Sequence, residues 1–173
     1  MVRDGILNIT NDSFYDGGKY VNEGDIIVQT IKMLEEGASI VDIGAQSSRP
    51  GATLLRAEEE LLKLLPIIKL LKTEIPEIII SIDTFWAKTA QECVQAGADI
   101  INDISAGEMD NTMFDTIAQL QVPYIIMHMQ GTPHTMQDKP EYDDVINDIK
   151  QFFVARIKAC EKAGINRERI IID

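Results

Sequence analysis

The sequence predicts an α/β fold with a parallel sheet, and three features of its apolar segments support this prediction. Six short runs rich in Ile and Val alternate with helical stretches. The runs are apolar at successive positions, as strands are when helices cover both faces of a parallel sheet. The first run carries Asn8 near its end, and each of the others is followed directly by a polar residue, namely Asp42, Asp83, Asn102 with Asp103, His128 and Asp173. The predicted strands cover residues 5–9, 38–41, 78–82, 99–101, 123–127 and 170–172.

The first loop favours a TIM (β/α)8 barrel over an open doubly wound sheet. A dinucleotide-binding fold would show Gly-x-Gly-x-x-Gly after its first strand, whereas this strand leads into TNDSFYDGG at residues 10–18. A barrel has eight strands and about 200 residues or more, and this chain has 173 residues. We therefore expect one domain, residues 1–173, that supplies about the first six strands and is incomplete at its C-terminus. Alone, this piece should be marginally stable and inactive.

Apolar residues at helical spacing predict the helices that connect these strands. The predicted helices cover residues 22–36, 56–74, 87–96, 112–120 and 143–163. Gly37, Gly97 and Gly164 directly follow three of them, as glycines do where a helix turns back into a sheet. Pro66 lies inside the second helix, where we expect a kink or a break.

Composition and charge narrow the possible classes of function. The chain is 45% hydrophobic and 25% charged, with a net charge of −12. This acidity argues against binding to nucleic acid or to an anionic membrane surface. No apolar run spans a membrane and no secretory signal is visible, so we expect a cytoplasmic protein. Cys93 and Cys160 fall in predicted helices, where packing is their expected role.

Polar residues at the carboxyl ends of parallel strands converge on one face of the fold. Asn8 has a carboxamide oxygen that suits Mg²⁺, which prefers oxygen ligands. Asp83 and Asn102 each follow apolar residues and would together match the polar edge of a pteridine or a purine. A structural alternative is that Asp83 caps the next helix. For His128 we favour a supporting or structural role, because no nucleophile lies nearby in the sequence.

Two loops carry further candidate residues. Residues 8–18 combine Asn, Asp and Ser with two aromatic residues and a Gly pair, which suggests a mobile lid with acceptors for a cation. Residues 44–52 contain small residues, two hydroxyls and one Arg, as anion-binding loops do. An ordinary solvated turn is the alternative for each loop.

The motifs at these positions resemble those of dihydropteroate synthases. GILNITNDSFYDGG at residues 5–18 resembles the family's first signature, and DIGAQSSRPGA at residues 42–52 resembles its second. SIDT (81–84), NDIS (102–105) and MHMQGTP (127–133) follow in the family's order. The resemblance implies a transferase of folate biosynthesis that is a sulfonamide target and uses Mg²⁺. Such an enzyme condenses 6-hydroxymethyl-7,8-dihydropterin pyrophosphate with p-aminobenzoate, giving 7,8-dihydropteroate and pyrophosphate.

The resemblance also assigns a role to individual residues, and it includes no covalent nucleophile. The pterin-binding positions are Asp83, Asn102, Asp173, Ile104 and Met127. Ser48 and Asn8 stand at the pyrophosphate positions, and Asn8 is also the metal-linked residue. The loops that close over p-aminobenzoate contain Phe14, Asp16, Arg49 and Pro50.

The sequence departs from the family pattern in several places. Asn11 replaces a Pro, and Ala45-Gln46 replaces Gly-Glu, which removes a carboxylate from the second loop. The family's later Lys and Arg-x-His have no counterpart, and neither do the last helices, through which the family usually forms homodimers. Two alternatives remain open at this stage. One is a non-catalytic pterin-binding half-barrel, and the other is a pterin-dependent methyltransferase barrel.

Overall fold

A computed structural model describes residues 3–9, 15–16, 20–46, 53–131 and 142–173, with only the backbone at 15–16 and 20–21. Six parallel strands form one sheet in the order β1-β4-β5-β6-β7-β8, and a small antiparallel pair, β2-β3, follows β1 in the chain. The strands are β1 (Asp4–Asn8), β2 (Tyr15–Asp16), β3 (Tyr20–Val21), β4 (Ile40–Gly44), β5 (Ile80–Asp83), β6 (Ile100–Asp103), β7 (Tyr124–Ile126) and β8 (Ile170–Ile172).

Five helices connect the strands of the large sheet. They are α1 (Glu23–Glu35), α2 (Ala57–Glu74), α3 (Ala87–Gln95), α4 (Met113–Leu120) and α5 (Val145–Lys162). A 3₁₀ helix, Arg167–Arg169, precedes β8. The arrangement is the predicted α/β class and corresponds to six strands of a (β/α)8 barrel. None of the helices in the described ranges has the length and apolarity needed to cross a membrane.

Local signals account for the helix boundaries. The side chain of Asn22 accepts hydrogen bonds from the first turn of α1, and that of Asp144 does so for α5. Both residues therefore lie just outside the helices that the sequence assigned them to, as capping residues do. The glycines after α1, α3 and α5 all have positive φ, as predicted.

Pro66 does not break α2, so of the predicted kink or break the break is wrong, and the kink stays a prediction. The helix runs from Ala57 to Glu74 with Pro66 inside it. A proline removes one hydrogen bond to the carbonyl four residues earlier, which here belongs to Leu62. Pro66 and Leu62 both lie on the exposed side of the helix, so water can bond to the freed carbonyl.

The two faces of the large sheet differ in what covers them. Successive strand residues point to opposite faces, and one set packs under the helices as a buried core. Members of this core on the strands are Leu7, Val41, Ile43, Ile80, Ile82, Ile101, Tyr124 and Ile126. They pack with helix residues that include Ile26, Leu64, Ile68, Leu71, Cys93, Ile117, Phe153 and Cys160. Both cysteines are buried and free, as expected.

The other face, called the inner face below, carries the polar residues. Several strands begin or end one to three residues later than predicted, and this changes where four polar residues lie. Asp42 lies inside β4, Asp83 is the last residue of β5, and Asn102 and Asp103 are the last two residues of β6. Of these, Asp103 pairs with Ile126 and faces the helices. The prediction that these residues follow their strands is therefore wrong. Their backbones belong to the hydrogen-bonded ladder, which fixes the direction of each side chain.

Candidate functional site

The register of the sheet brings three predicted site residues into one row. Asn8 pairs with Gly44, Gly44 with Asp83, and Asp83 with Asn102. Paired residues in a sheet project to the same face. Asn8, Asp83 and Asn102 therefore lie side by side on the inner face at the carboxyl ends of β1, β5 and β6.

The same alternation extends to two of the other three residues assigned to the pterin. Met127 and Asp173 lie two residues after Ile125 and Ile171, which belong to the same row. The ladder continues past these two strands, because the Met127 amide donates to the Asp103 carbonyl (3.4 Å) and the Asp173 amide to the Ile126 carbonyl (3.1 Å). Backbone bonding thus places Met127 and Asp173 at the same edge as the row, while Ile104 lies in the turn that directly follows β6.

Gly44 leaves space for the Asp83 carboxyl group. A β-carbon at position 44 would lie 3.1 Å from Asp83 Oδ2 and 3.3 Å from its Cβ. These distances are closer than side chains normally approach, so any larger residue would displace the carboxyl group. The predicted site omitted Gly44, and only the pairing of β4 with β5 identifies it.

Asp83 is a carboxyl group that gains and loses its proton near neutral pH. Burial raises its pKa to about 7, and the negative charges of Asp42, Glu60 and Asp103 act in the same direction. The first N–H of α3, that of Ala87, is bonded by Asp110 Oδ2 at 2.9 Å. Asp110 therefore binds this N–H in place of Asp83, which argues against the structural alternative that Asp83 caps the helix.

Asn102 reaches across the inner face to Asp42. Its Nδ2 donates to Asp42 Oδ2 at 3.1 Å, although β5 lies between their strands. Strands are about 4.8 Å apart, so side chains two strands apart meet only because the inner face is concave. Burial raises the pKa of Asp42, and the hydrogen bond from Asn102 opposes this in part.

The Asn102 carboxamide has one atom free for a ligand. Its Oδ1 is buried and has no hydrogen-bond partner among the described residues. An unpaired buried acceptor is costly, and a ligand with a ring N–H would remove this cost. The row therefore offers an acceptor at Asn102 and, above about pH 7, two further acceptors at Asp83.

A hydrogen-bond network fixes the backbone next to Asn102. The Asp103 carboxylate is fully buried. Its Oδ1 accepts from the Ser105 amide (2.8 Å) and hydroxyl (2.7 Å), and its Oδ2 from the Gly107 amide (2.7 Å) and the Tyr124 hydroxyl (2.6 Å). Every acceptor is used, so Asp103 positions the loop that contains Ile104. The sequence motif pointed to Asn102 and not to this supporting role.

Helix α5 holds the same loop from outside. The Arg156 guanidinium donates to the Ala106 carbonyl and lies 4.8 Å from the centroid of the Phe114 ring. A β-carbon at Gly107 would overlap the Phe114 ring. The loop after β6 is therefore fixed on two sides, which makes Ile104 and Asn102 parts of a rigid edge.

His128 packs among aromatic side chains, which fits the supporting or structural role that we favoured for it. Its ring meets Phe152 edge-on at 4.7 Å and lies 5.9 Å from Tyr142. Met127, the residue before it, lies on the inner face, so His128 points the opposite way, toward α5.

Several predicted residues cannot be located. Phe14, Ser48, Arg49 and Pro50 lie outside the described residues, and so does the side chain of Asp16. In the described part of the chain, no three or more His, Cys, Asp or Glu side chains lie close enough together to hold a metal ion. Asn8 is exposed at the rim, and its single carboxamide oxygen fits Mg²⁺, which is commonly held by one or two protein oxygens together with substrate phosphates.

Comparisons with known proteins agree with this geometry. The chain is 48% identical over 174 residues to a mitochondrial folate synthesis bifunctional protein of Pisum sativum, which covers 98% of this chain and 34% of that protein. It is 44% identical over 169 residues to the dihydropteroate synthase of Synechocystis, which covers 98% of this chain and 58% of that protein. The chain therefore spans between a third and three fifths of the length of these relatives.

Solved structures give the same result. The Yersinia pestis dihydropteroate synthase in a sulfonamide drug complex superposes with a TM-score of 0.89 at 38% identity, over 99% of this chain and 62% of that one. The Xanthomonas albilineans enzyme with 4-aminobenzoic acid gives 0.87 at 40% identity, over 99% and 60%. The same enzyme with 7,8-dihydropteroate gives 0.82 at 36% identity, over 99% and 60%.

The family comparison covers nearly the whole chain. The sequence matches the family described as pterin binding enzyme over residues 4–173, which includes every strand of the large sheet. Together with the dihydropteroate synthase relatives, this match confirms the resemblance found in the motifs. The chain belongs to the pterin binding enzyme family.

Proposed function

We propose that residues 1–173 are the pterin-binding domain of a dihydropteroate synthase. In the proposed reaction, 6-hydroxymethyl-7,8-dihydropterin pyrophosphate and p-aminobenzoate give 7,8-dihydropteroate and pyrophosphate. The observation that carries the proposal is the row on the inner face, where Asp83 and Asn102 stand in register and Asn102 Oδ1 is buried without a partner among the described residues. The relatives named above support the choice of reaction.

In this proposal the pterin ring binds Asp83, Asn102 and Asp173. The ring has N–H donors beside acceptors, which match carboxylate oxygens and a carboxamide. Ile104 and Met127 pack on the faces of the ring. The acidic groups near this row repel an anion, since the net charge of the chain is −12 and Asp42 senses Asp173. We therefore expect the neutral ring to lie against the carboxyl groups and the pyrophosphate to point away from them.

The remaining assignments rest on the motifs. Asn8 and Ser48 bind the pyrophosphate, and Asn8 also binds Mg²⁺, which when bound would stabilise the departing negative charge. Phe14, Asp16, Arg49 and Pro50 bind p-aminobenzoate. The chain's own residues orient the pterin methylene, the amine nitrogen attacks it and loses one proton to solvent, and the C–O bond breaks with its electron pair leaving on pyrophosphate. We further propose a cytoplasmic protein that forms homodimers.

Product formation tests this proposal in the protein that contains this chain. The assay measures dihydropteroate formed from the two substrates in the presence of Mg²⁺. Asn102→Ala and Asp83→Asn should each reduce kcat/KM by about 10- to 100-fold, because each removes one hydrogen bond to a buried or charged partner. Asn111→Ala and Asp115→Asn are matched controls, since both residues are exposed on or next to α4, and they should leave the rate unchanged.

The same experiment separates catalysis from simple binding. A protein that binds the pterin by calorimetry but forms no dihydropteroate would be a non-catalytic pterin-binding protein, which contradicts the proposed reaction. Equal rates for Asn102→Ala, Asp83→Asn and the two control variants would contradict the proposed site.

A further inference from the structure

The side chain of Gln46 joins two points of the chain that lie nine residues apart. Its Oε1 accepts a hydrogen bond from the Leu55 amide at 3.0 Å, and its Nε2 donates to the Leu55 carbonyl at 3.1 Å. Residue 46 follows β4, and residue 55 precedes α2. A single carboxamide therefore fixes where the connection between these two elements begins and ends.

The Gln46 carboxamide also bonds to the carboxylate of Glu60. Glu60 belongs to α2 and has no exposed surface. Gln46 Nε2 donates to Glu60 Oε1 at 2.6 Å, and the Thr84 hydroxyl donates to Glu60 Oε2 at 2.7 Å. The buried carboxylate is thus bonded by two neutral donors, one from each of the chain segments that follow β4 and β5.

Trp86 completes the cluster from the start of α3. Its indole N–H donates to the Leu55 carbonyl at 2.9 Å, and its backbone N–H donates to the Thr84 hydroxyl at 3.2 Å. We call Gln46, Leu55, Glu60, Thr84 and Trp86 the Gln46 cluster. Since Thr84 follows Asp83 directly, the cluster ties the segment after β4 to the strand end that carries Asp83.

Hydrogen-bond chemistry favours an amide at position 46. Gln46 donates two hydrogen bonds and accepts one, whereas an ionised Glu could accept but not donate. A Glu at this position would face both the Leu55 carbonyl and the Glu60 carboxylate with negative oxygens. The family signature has Glu here, so Gln46 is a departure, and a Glu in this chain would make the same contacts only if it shared a proton with Glu60.

We propose that Gln46 is a positioning residue that keeps this anchor intact across neutral pH. The proposal rests on the proposed function, because the anchored segment continues from the strand next to Asp83. Protonation of Glu60 leaves both bonds between Gln46 and Leu55 in place, since neither uses the carboxylate. The other titratable groups that sense the charge of Glu60 are Asp83 on β5 and the Cys93 thiol on α3.

Trp86 reports on the cluster directly, because it is the only tryptophan in the chain. Its indole N–H gives one resonance in a ¹H–¹⁵N spectrum, and no ligand or turnover is needed to observe it. In the unaltered protein this proton should remain protected from solvent exchange from pH 6 to pH 8. In Gln46→Glu the protection should hold at pH 6, where the two carboxyl groups can share a proton, and fall at least tenfold at pH 8.

Two further variants separate the pairing from a general effect of mutation. Gln46→Met adds no charge, so its loss of indole protection should be the same at both pH values. In Gln46→Glu with Glu60→Gln, the carboxylate and the amide exchange places, and the step between pH 6 and pH 8 should shrink, because only the Leu55 carbonyl still faces a negative oxygen. Should Gln46→Glu fail to fold at pH 8, the comparison of Gln46→Met with the exchanged pair still tests the cluster.

Kinetics provide the functional readout. In Gln46→Glu, kcat/KM for dihydropteroate formation should fall about tenfold at pH 8 and less than threefold at pH 6, as expected for one hydrogen bond that involves a charged group. Indole protection at pH 8 that is equal in Gln46→Glu and the unaltered protein would overturn the proposal. Normal indole results without dihydropteroate formation would instead refute the proposed function and leave the positioning role of Gln46 standing.

Discussion

Asp83 changes its charge near neutral pH, and this affects both binding and stability. Its pKa is raised from 3.8 to about 7, first by burial. Because the folded state holds this proton more tightly than the unfolded chain, its contribution to stability is complete below about pH 4 and is lost as pH rises through about 7. Each pKa unit corresponds to about 1.4 kcal/mol. Asp42, Asp103 and Glu60, whose pKa values are also raised, act in the same direction.

Pterin affinity should therefore increase with pH. An ionised Asp83 offers only acceptors to the N–H groups of the ring, whereas the protonated form also presents a donor. At pH 6 about a tenth of Asp83 is ionised, so calorimetry should show binding about tenfold weaker than at pH 8. In Asp83→Asn this dependence should be absent, apart from any titration of the ring itself. An affinity that does not change between pH 6 and pH 8 would show that Asp83 does not bind the ring.

The sequence predicted which residues form the site better than it predicted the residues that hold them in place. Asn8, Asp83 and Asn102 could be selected because each interrupts or ends an apolar run. Gly44 and Asp103 could not, because their roles depend on which side chains approach them across neighbouring strands and loops. Gln46 was noticed as a departure from the family pattern, but its contact with Glu60 links residues that only the packing of α2 brings together.

The residues at which the strands begin and end were predicted less accurately than the presence of the strands. Six of the eight strands were expected, and the short pair β2-β3 was not, since two-residue strands have no apolar pattern. The run at residues 38–41 ended too early because Asp42 looked like the start of a loop. In the structure Asp42 lies on the inner face and accepts a hydrogen bond from Asn102, so a polar residue inside a strand marks the site and not the end of the strand.

Helix α2 tolerates a proline, and its removal should stabilise the protein. Pro66→Ala restores a backbone N–H that can bond to the Leu62 carbonyl, and proline in a helix interior costs up to about 3 kcal/mol relative to alanine. Since both positions are exposed, water recovers part of this cost, and we expect a gain of about 1–2 kcal/mol in the free energy of unfolding in urea. Lys69→Ala, also exposed on α2, is the control and should change stability by less than about 0.5 kcal/mol. A loss of stability in Pro66→Ala would mean that the proline ring itself packs favourably.

At the scale of the whole molecule, the large sheet is an arc with two outer strands. β1 and β8 each pair with one neighbour among the described strands. Ile6 and Ile171, which point to the inner face on these outer strands, are 73% and 44% exposed. Ile82, in the middle of the sheet but facing the helices, has no exposed surface. On the inner face, apolar side chains are therefore exposed at the two sides of the arc, beside the row of site residues, in addition to exposed apolar residues on the helices such as Leu62 and Ile146.

The concave shape of the inner face and its acidic charge together support the proposed pterin site. The concave inner face brings Asn8, Asp83 and Asn102 to one edge, and the acidic groups there favour a neutral ring with N–H donors over an anion. The sequence predicted six strands, too few to close an eight-stranded barrel, but how far these six curve toward each other depends on strand stagger, which the apolar pattern does not show. The direction of the site residues, by contrast, follows from a simple alternation along each strand.

The most direct test is a crystal structure of the protein that contains this chain, with a pterin bound. We predict that the ring lies on the inner face, with its N–H groups within about 3 Å of Asp83 and of Asn102 Oδ1, and with Ile104 and Met127 against its faces. A ring bound on the helix side of the sheet, or one that contacts neither Asp83 nor Asn102, would contradict the assignment of this site.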